Sequence, residues 1–239
     1  MKNLLLFLFV AFLMLGCSNE EKSQKREIAT AIVNDERLDM VLNMSKEILN
    51  PADGRLQAGS HYAETWIRDF ATFIEIALED SPHESVKERL LLFLDFQGED
   101  GNIVDGYTEL TTENGYDYIY SETAPDYKAH KNTVETDQET SFIIALARYI
   151  MVTGDSQVLS EEKNGKTVLE RCEMALTFLH EKMYSEKYGL LYGATTIDWT
   201  DVQPESEWGV FVTEDTHTGV LTCMTMHCTC LLLINTWNG

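Results

Sequence analysis

The chain has 239 residues, with 40 acidic side chains against 18 basic ones and a formal net charge of −22. Phosphate-rich partners are held through Lys and Arg, so this balance argues against a nucleic acid or any other polyanion, whereas a neutral, polyhydroxylated partner is indifferent to it. The length suits a leader followed by one folded domain, on the usual scale of roughly 100–200 residues per domain.

Lys2 precedes an apolar run, Leu4–Leu15, and then comes Gly16-Cys17-Ser18-Asn19. A basic flank, a hydrophobic stretch too short to span a bilayer comfortably and a small residue before the cysteine make residues 1–16 a secretory signal. Met14-Leu15-Gly16-Cys17 resembles the bacterial lipoprotein box, in which the cysteine is acylated on its thiol and becomes the first mature residue. That resemblance implies a lipid on Cys17 and a place in the cell envelope, with the lipid as the sole membrane contact. The plainer alternative is ordinary export with a chance cysteine. Residues 17–27 then form a polar, aperiodic tether. The domain proper is expected over 28–239.

From residue 28 onward the periodicity predicts helices. Ile28, Ile32, Leu38, Leu42 and Leu49 make a first stripe, punctuated by Pro51 and Gly54. Ile67, Phe70, Ile74 and Ala77 carry a second. Val86, Leu90, Phe93, Leu94 and Gln97 carry a third, opened by Ser81-Pro82 as N-cap and first turn. Phe142, Leu146, Tyr149 and Ile150 mark a fourth, closing at Gly154, for which an amphipathic helix with an acidic first turn is an adequate description. Leu169, Cys172, Leu176, Leu179 and Met183 mark a fifth. Strand signals are weak and centre on "GLLYGATTIDW". The expected fold class is all-α.

Two long polar connections interrupt this pattern. Residues 98–134 are rich in Gly, Asp, Thr and Tyr, including Tyr107, Tyr116, Tyr118, Tyr120 and Tyr127, and residues 185–216 contain Trp199 and Trp208. Loops of such length in a compact domain are functional or disordered, and the aromatic content argues for order. Aromatic rings beside carboxylates suit a sugar, which offers a C–H face for stacking and hydroxyls for acids and amides.

Trp66, Arg68 and Asp69, at the start of the second helix, resemble the Trp-x-Arg-Asp signature of the six-hairpin (α/α)6-toroid glycosidases, such as glucoamylases and trehalases. The resemblance implies that these three residues grip the terminal sugar. A guanidinium next to a carboxylate also gives donors and acceptors in fixed geometry, whatever the family. The structural alternative is a helix N-terminus with Asp69 favoured by the dipole and Arg68 on the solvent face. "ETDQETSFIIALARYIMVTGD", 135–155, looks like an inner helix of such a toroid, with Glu135 and Asp137 able to line the pocket or simply to favour a helix start. "ATTIDWTDVQPE", 194–205, resembles the segment that carries the catalytic acid in cellobiose-phosphorylase-like toroids and trehalases. Asp198 is then the general acid, Asp201 its substitute and Trp199 a neighbour in the pocket; the alternative is an Asx-turn pair. His61 and Tyr62 could touch sugar, or serve surface and packing. Asp105 is either a turn residue or a subsite ligand.

Inverting cleavage needs a protonated carboxyl on the leaving oxygen and a second carboxylate activating water ~6.5–9.5 Å away. Trp199 and Asp201 would raise the Asp198 carboxyl by desolvation and like charge. The resemblance places the second carboxylate in later hairpins. Five helices amount to about half of a twelve-helix ring, so only the first half is expected here. The stretch 220–239, "VLTCMTMHCTCLLLINTWNG", lacks charge and holds three of the five cysteines. We read it as a frameshifted, non-native tail. Cys223, Cys228, Cys230 and His227 lack a zinc-site spacing, and no Gly-rich phosphate loop or dinucleotide fingerprint is present. No metal or cofactor is expected, and Cys172, on an apolar stripe, should behave as a small hydrophobe. The expected activity is glycoside hydrolysis on a carbohydrate substrate, with phosphorolysis on the same toroid or non-catalytic glycan binding as rivals.

Overall fold

The computed structural model describes residues 36–49, 56–57, 62–113, 118–131, 137–193 and 220–222. Cys17, His61, Glu135, Asp198, Trp199 and Asp201 lie outside the described residues. The chain divides into two units, Met1–Glu47 and Ile48–Gly239. The described residues of the first, 36–47, belong to helix α1 (Glu36–Leu49), whose acidic first turn and Lys46 in the last turn complement the helix dipole. Leu38, Met40, Val41, Leu42 and Met44 on it are exposed.

The second unit is built on four helices, α2 (Ile67–Asp80), α3 (His83–Asp95), α4 (Gln138–Thr153) and α5 (Val168–Lys182). Helix dominates the described residues, as the periodicity requires, and the strands between are short. Two residues join α2 to α3, so these helices are antiparallel neighbours. Pro82, with φ −54° and ψ 128°, is the residue before α3 and not its first turn, and Ser81 instead closes α2 by donating its N–H to the Ala77 carbonyl at 2.9 Å. The expected Ser81-Pro82 start is thus corrected by one residue. Gln97 also leaves the predicted stripe: it lies beyond α3, and its amide donates to the carbonyls of Gly101 at 2.9 Å and Arg171 at 3.0 Å.

Helix α4 departs from the amphipathic alternative and has the interior placement expected of an inner helix. Nine consecutive residues, Gln138 to Leu146, are buried, so this is an interior helix covered on every side and not an amphipathic surface one. It packs most extensively on α2, and α3 and α5 also lie against it. Arg68 reaches Asp137 where α2 and α4 begin, and farther along Arg148 approaches Glu75 at 3.7 Å, so the two helices run in the same sense. Phe70 and Ile74 of α2, Leu90 and Phe93 of α3, and Phe142 and Leu146 of α4 fill the core between them. Gly154 ends α4 in the left-handed conformation, φ 74°, as expected. Cys172 is buried, also as expected.

The segment 98–134, read as a loop, builds a sheet. Strands β1 (Thr65–Trp66), β2 (Gly106–Glu109), β3 (Ile119–Tyr120) and β4 (Tyr127–His130) pair antiparallel in the order β1-β2-β4-β3. Runs of two to four residues are too short for alternation to register in the sequence. Tyr107 is part of the core at 2% exposure, its hydroxyl donating to the Arg89 carbonyl at 3.0 Å, so it offers no sugar a stacking face. The segment is tied down at its start by Gly101, at φ +102°, where an added Cβ would lie 2.2 Å from the Met174 carbonyl oxygen on α5. Two further sheets follow, β5 (Glu162–Lys163) with β6 (Lys166–Thr167), and β7 (Tyr184–Ser185), β8 (Leu190–Gly193) and β9 (Val220–Thr222). The weak strand signal around "GLLYG" is borne out by β8. Leu191 pairs with Thr222, so the first three residues of the stretch 220–239 are in register with β8.

Buried Arg171 of α5 donates to the carbonyls of Lys163 and Asn164, which fixes the β5–β6 turn against the helix that follows it. That helix opens with a full capping box. Thr167 accepts from the Glu170 N–H at 3.2 Å, and the Glu170 carboxylate accepts from the Thr167 N–H at 2.7 Å. The Thr167 backbone bond, then its hydroxyl, lower the Glu170 carboxyl below its ordinary value. A group depressed on folding contributes stability that is complete above its unfolded value and is lost as pH falls through its folded one. Glu170→Ala should therefore lower the melting temperature at pH 7. The gap from wild type should narrow steadily as pH falls below about 4, the ordinary carboxylate range, which paired thermal melts across pH would show.

Candidate functional site

The site begins with the sheet. Trp66 ends β1 and is the residue from which α2 starts, and the first helical N–H, that of Ile67, donates to the Asp105 carbonyl at 2.8 Å. Asp105 in turn donates its N–H to the His130 carbonyl at 2.9 Å. Three neighbouring chain segments therefore hold Trp66, Asp105 and His130 side by side. Trp66 pairs across the strands with Gly106, and the absent side chain matters, because a Cβ there would come within 3.0 Å of the indole Cε3 and of the Thr65 carbonyl oxygen. The indole packs over the bare strand with its ring 6.3 Å from His130, edge to face.

Helix α4 delivers its polar first turn against that group. The Asp137 carboxylate, fully buried, takes both Nε and Nη2 of Arg68, the latter at 3.0 Å. It makes no side-chain bond to its own helix, although it stands at the N-cap position. The carboxylate is thus committed to Arg68, on a helix 69 residues away in the chain, with the α4 dipole adding a favourable field. Gln138 donates to the Asp105 carboxylate at 2.7 Å, and His130 Nε2 faces the other oxygen of that carboxylate at 3.6 Å.

Below these lies a second buried pair. Lys131 Nζ donates to the Ile103 carbonyl at 2.6 Å and meets Glu139 Oε1 at 3.2 Å and Gln138 Oε1 at 3.5 Å, which matches three acceptors to its three protons. Glu139 Oε1 also accepts the Ile103 N–H at 2.8 Å. The other oxygen of Glu139 and the Ser141 hydroxyl are buried with no hydrogen-bond partner among the described residues. Asp105, Asp137 and Glu139 are 7%, 0% and 0% exposed, so three carboxylates are gathered in the interior at the start of one helix.

Of the residues singled out from the sequence, Trp66, Arg68 and Asp137 share this cluster. Arg68 is not the solvent-facing arginine of the structural alternative, since its side chain is only 15% exposed. Asp69 is half-buried in the same first turn of α2, and Tyr62 is exposed. Asp105, left between turn and subsite, belongs to the cluster. His130, Lys131, Gln138 and Glu139 were not singled out. A signal for the last two was present, because "DQETS" runs directly into an apolar stretch with no polar face of its own. Such a helix has nowhere to expose its first turn.

A groove of 540 Å³ between α3 and the segments at 123–127 and 161–163 shares no lining residue with the cluster. Of the cations lining it, Lys87 and Lys163 are taken up by Glu161 and Asp95, each at 2.8 Å. Among the described residues no group of three or more His, Cys, Asp or Glu side chains is arranged to hold a metal ion. No protein-family model matches the chain, and no curated protein matches it.

Two substitutions test this geometry. Asp137→Ala leaves the Arg68 guanidinium without its carboxylate and should cost about 3–5 kcal/mol in denaturant unfolding. Gly106→Ala should cost about 1–3 kcal/mol, the range for inserting a methyl group into a packed site. It should also displace Trp66, read as a change in the tryptophan emission of the folded state.

Proposed function

We propose that the protein is a glycoside hydrolase whose sugar site lies at the common start of α2 and α4, on the first half of an (α/α)6 toroid. The observation that carries the reading is the convergence of an indole, a bidentate guanidinium–carboxylate pair and a second carboxylate held by an amide, from segments 30 to 70 residues apart. A pyranose needs an apolar face to stack on and fixed donors and acceptors for its hydroxyls, and this group supplies both. The parallel course of α2 and α4, with outer helices α3 and α5 against them, is what alternating inner and outer helices of a toroid require.

In this reading Trp66, Arg68 and Asp69 hold the terminal sugar and Asp137 fixes Arg68. Asp198 is the general acid and Asp201 its substitute, with Trp199 beside them. Cleavage proceeds with inversion, and the water-activating carboxylate comes from outside the residues described. Lipid on Cys17 holds the enzyme to the cell envelope. The rival is a glycan-binding lipoprotein without turnover.

Oligosaccharide hydrolysis followed by product chromatography separates the two, with the 3′ end of the reading frame resequenced and, if shifted, restored. Asp198→Asn should lower kcat by at least ~10²-fold, the scale of general-acid catalysis, with binding retained. Trp66→Ala should weaken sugar binding by roughly tenfold, or about 1.4 kcal/mol. Glycan capture without turnover in the unsubstituted protein would leave the binding reading in its place.

A further inference from the structure

We draw no further inference here: the strongest candidate, the exposed apolar face of α1 formed by Leu38, Val41, Leu42 and Met44, carries nothing because nothing in the structure shows what covers it.

Discussion

The bidentate contact between Arg68 and Asp137 is the constraint on which the arrangement depends. It joins the starts of two helices through residues 69 apart in the chain, with the Asp137 carboxylate buried and the Arg68 side chain only 15% exposed. A buried ion pair of this kind adds little net stability, because desolvation offsets most of the Coulombic gain. Its effect is positional. With Arg68 held, α2 and α4 must begin at the same level, and so must β1 and the strand segments bonded to them.

The sheet between α3 and α4 is the second part of that arrangement. Its strands are too short to be stable alone, yet each bonds to something rigid: Ile67 of α2 to Asp105, Asp105 to His130, Ile103 to Glu139. Polar groups that would be costly in a dry interior thereby bond to one another across four segments of chain, one Glu139 oxygen and the Ser141 hydroxyl excepted among the described residues. Such networks are demanding, since a half-satisfied one is worse than an apolar core. Rigid side chains follow from it.

How much of this was legible in the sequence depends on the range of the interaction. The four helices of the second unit follow from apolar residues three and four apart, a local signal, and Gly154 ends α4 where predicted. The burial of α4 on every side was implied by the inner-helix resemblance of 135–155 and not by periodicity, because Phe142, Leu146 and Tyr149 alone look like one face until Ile143, Ile144 and Ala145 are seen to be covered too. The sheet escaped notice since two-residue strands such as β1 have no period. Tyr107 looked like a sugar platform because its neighbours are polar, whereas its ring lies 4.9 Å from Phe93 in the core. Trp66 and Arg68 were singled out through a short motif, and Asp137 through its place at a helix start. Their meeting could not have been read from spacing, and Lys131 carried no local signal at all.

Gly101 immediately precedes the segment that carries Ile103 and Asp105, at φ +102° with its bare α-carbon against the Met174 carbonyl. That segment enters the cluster directly afterwards, so the point at which it passes α5 has room for hydrogen alone. A side chain at this glycine would therefore disturb the cluster from outside it, with every charged partner of the cluster still present.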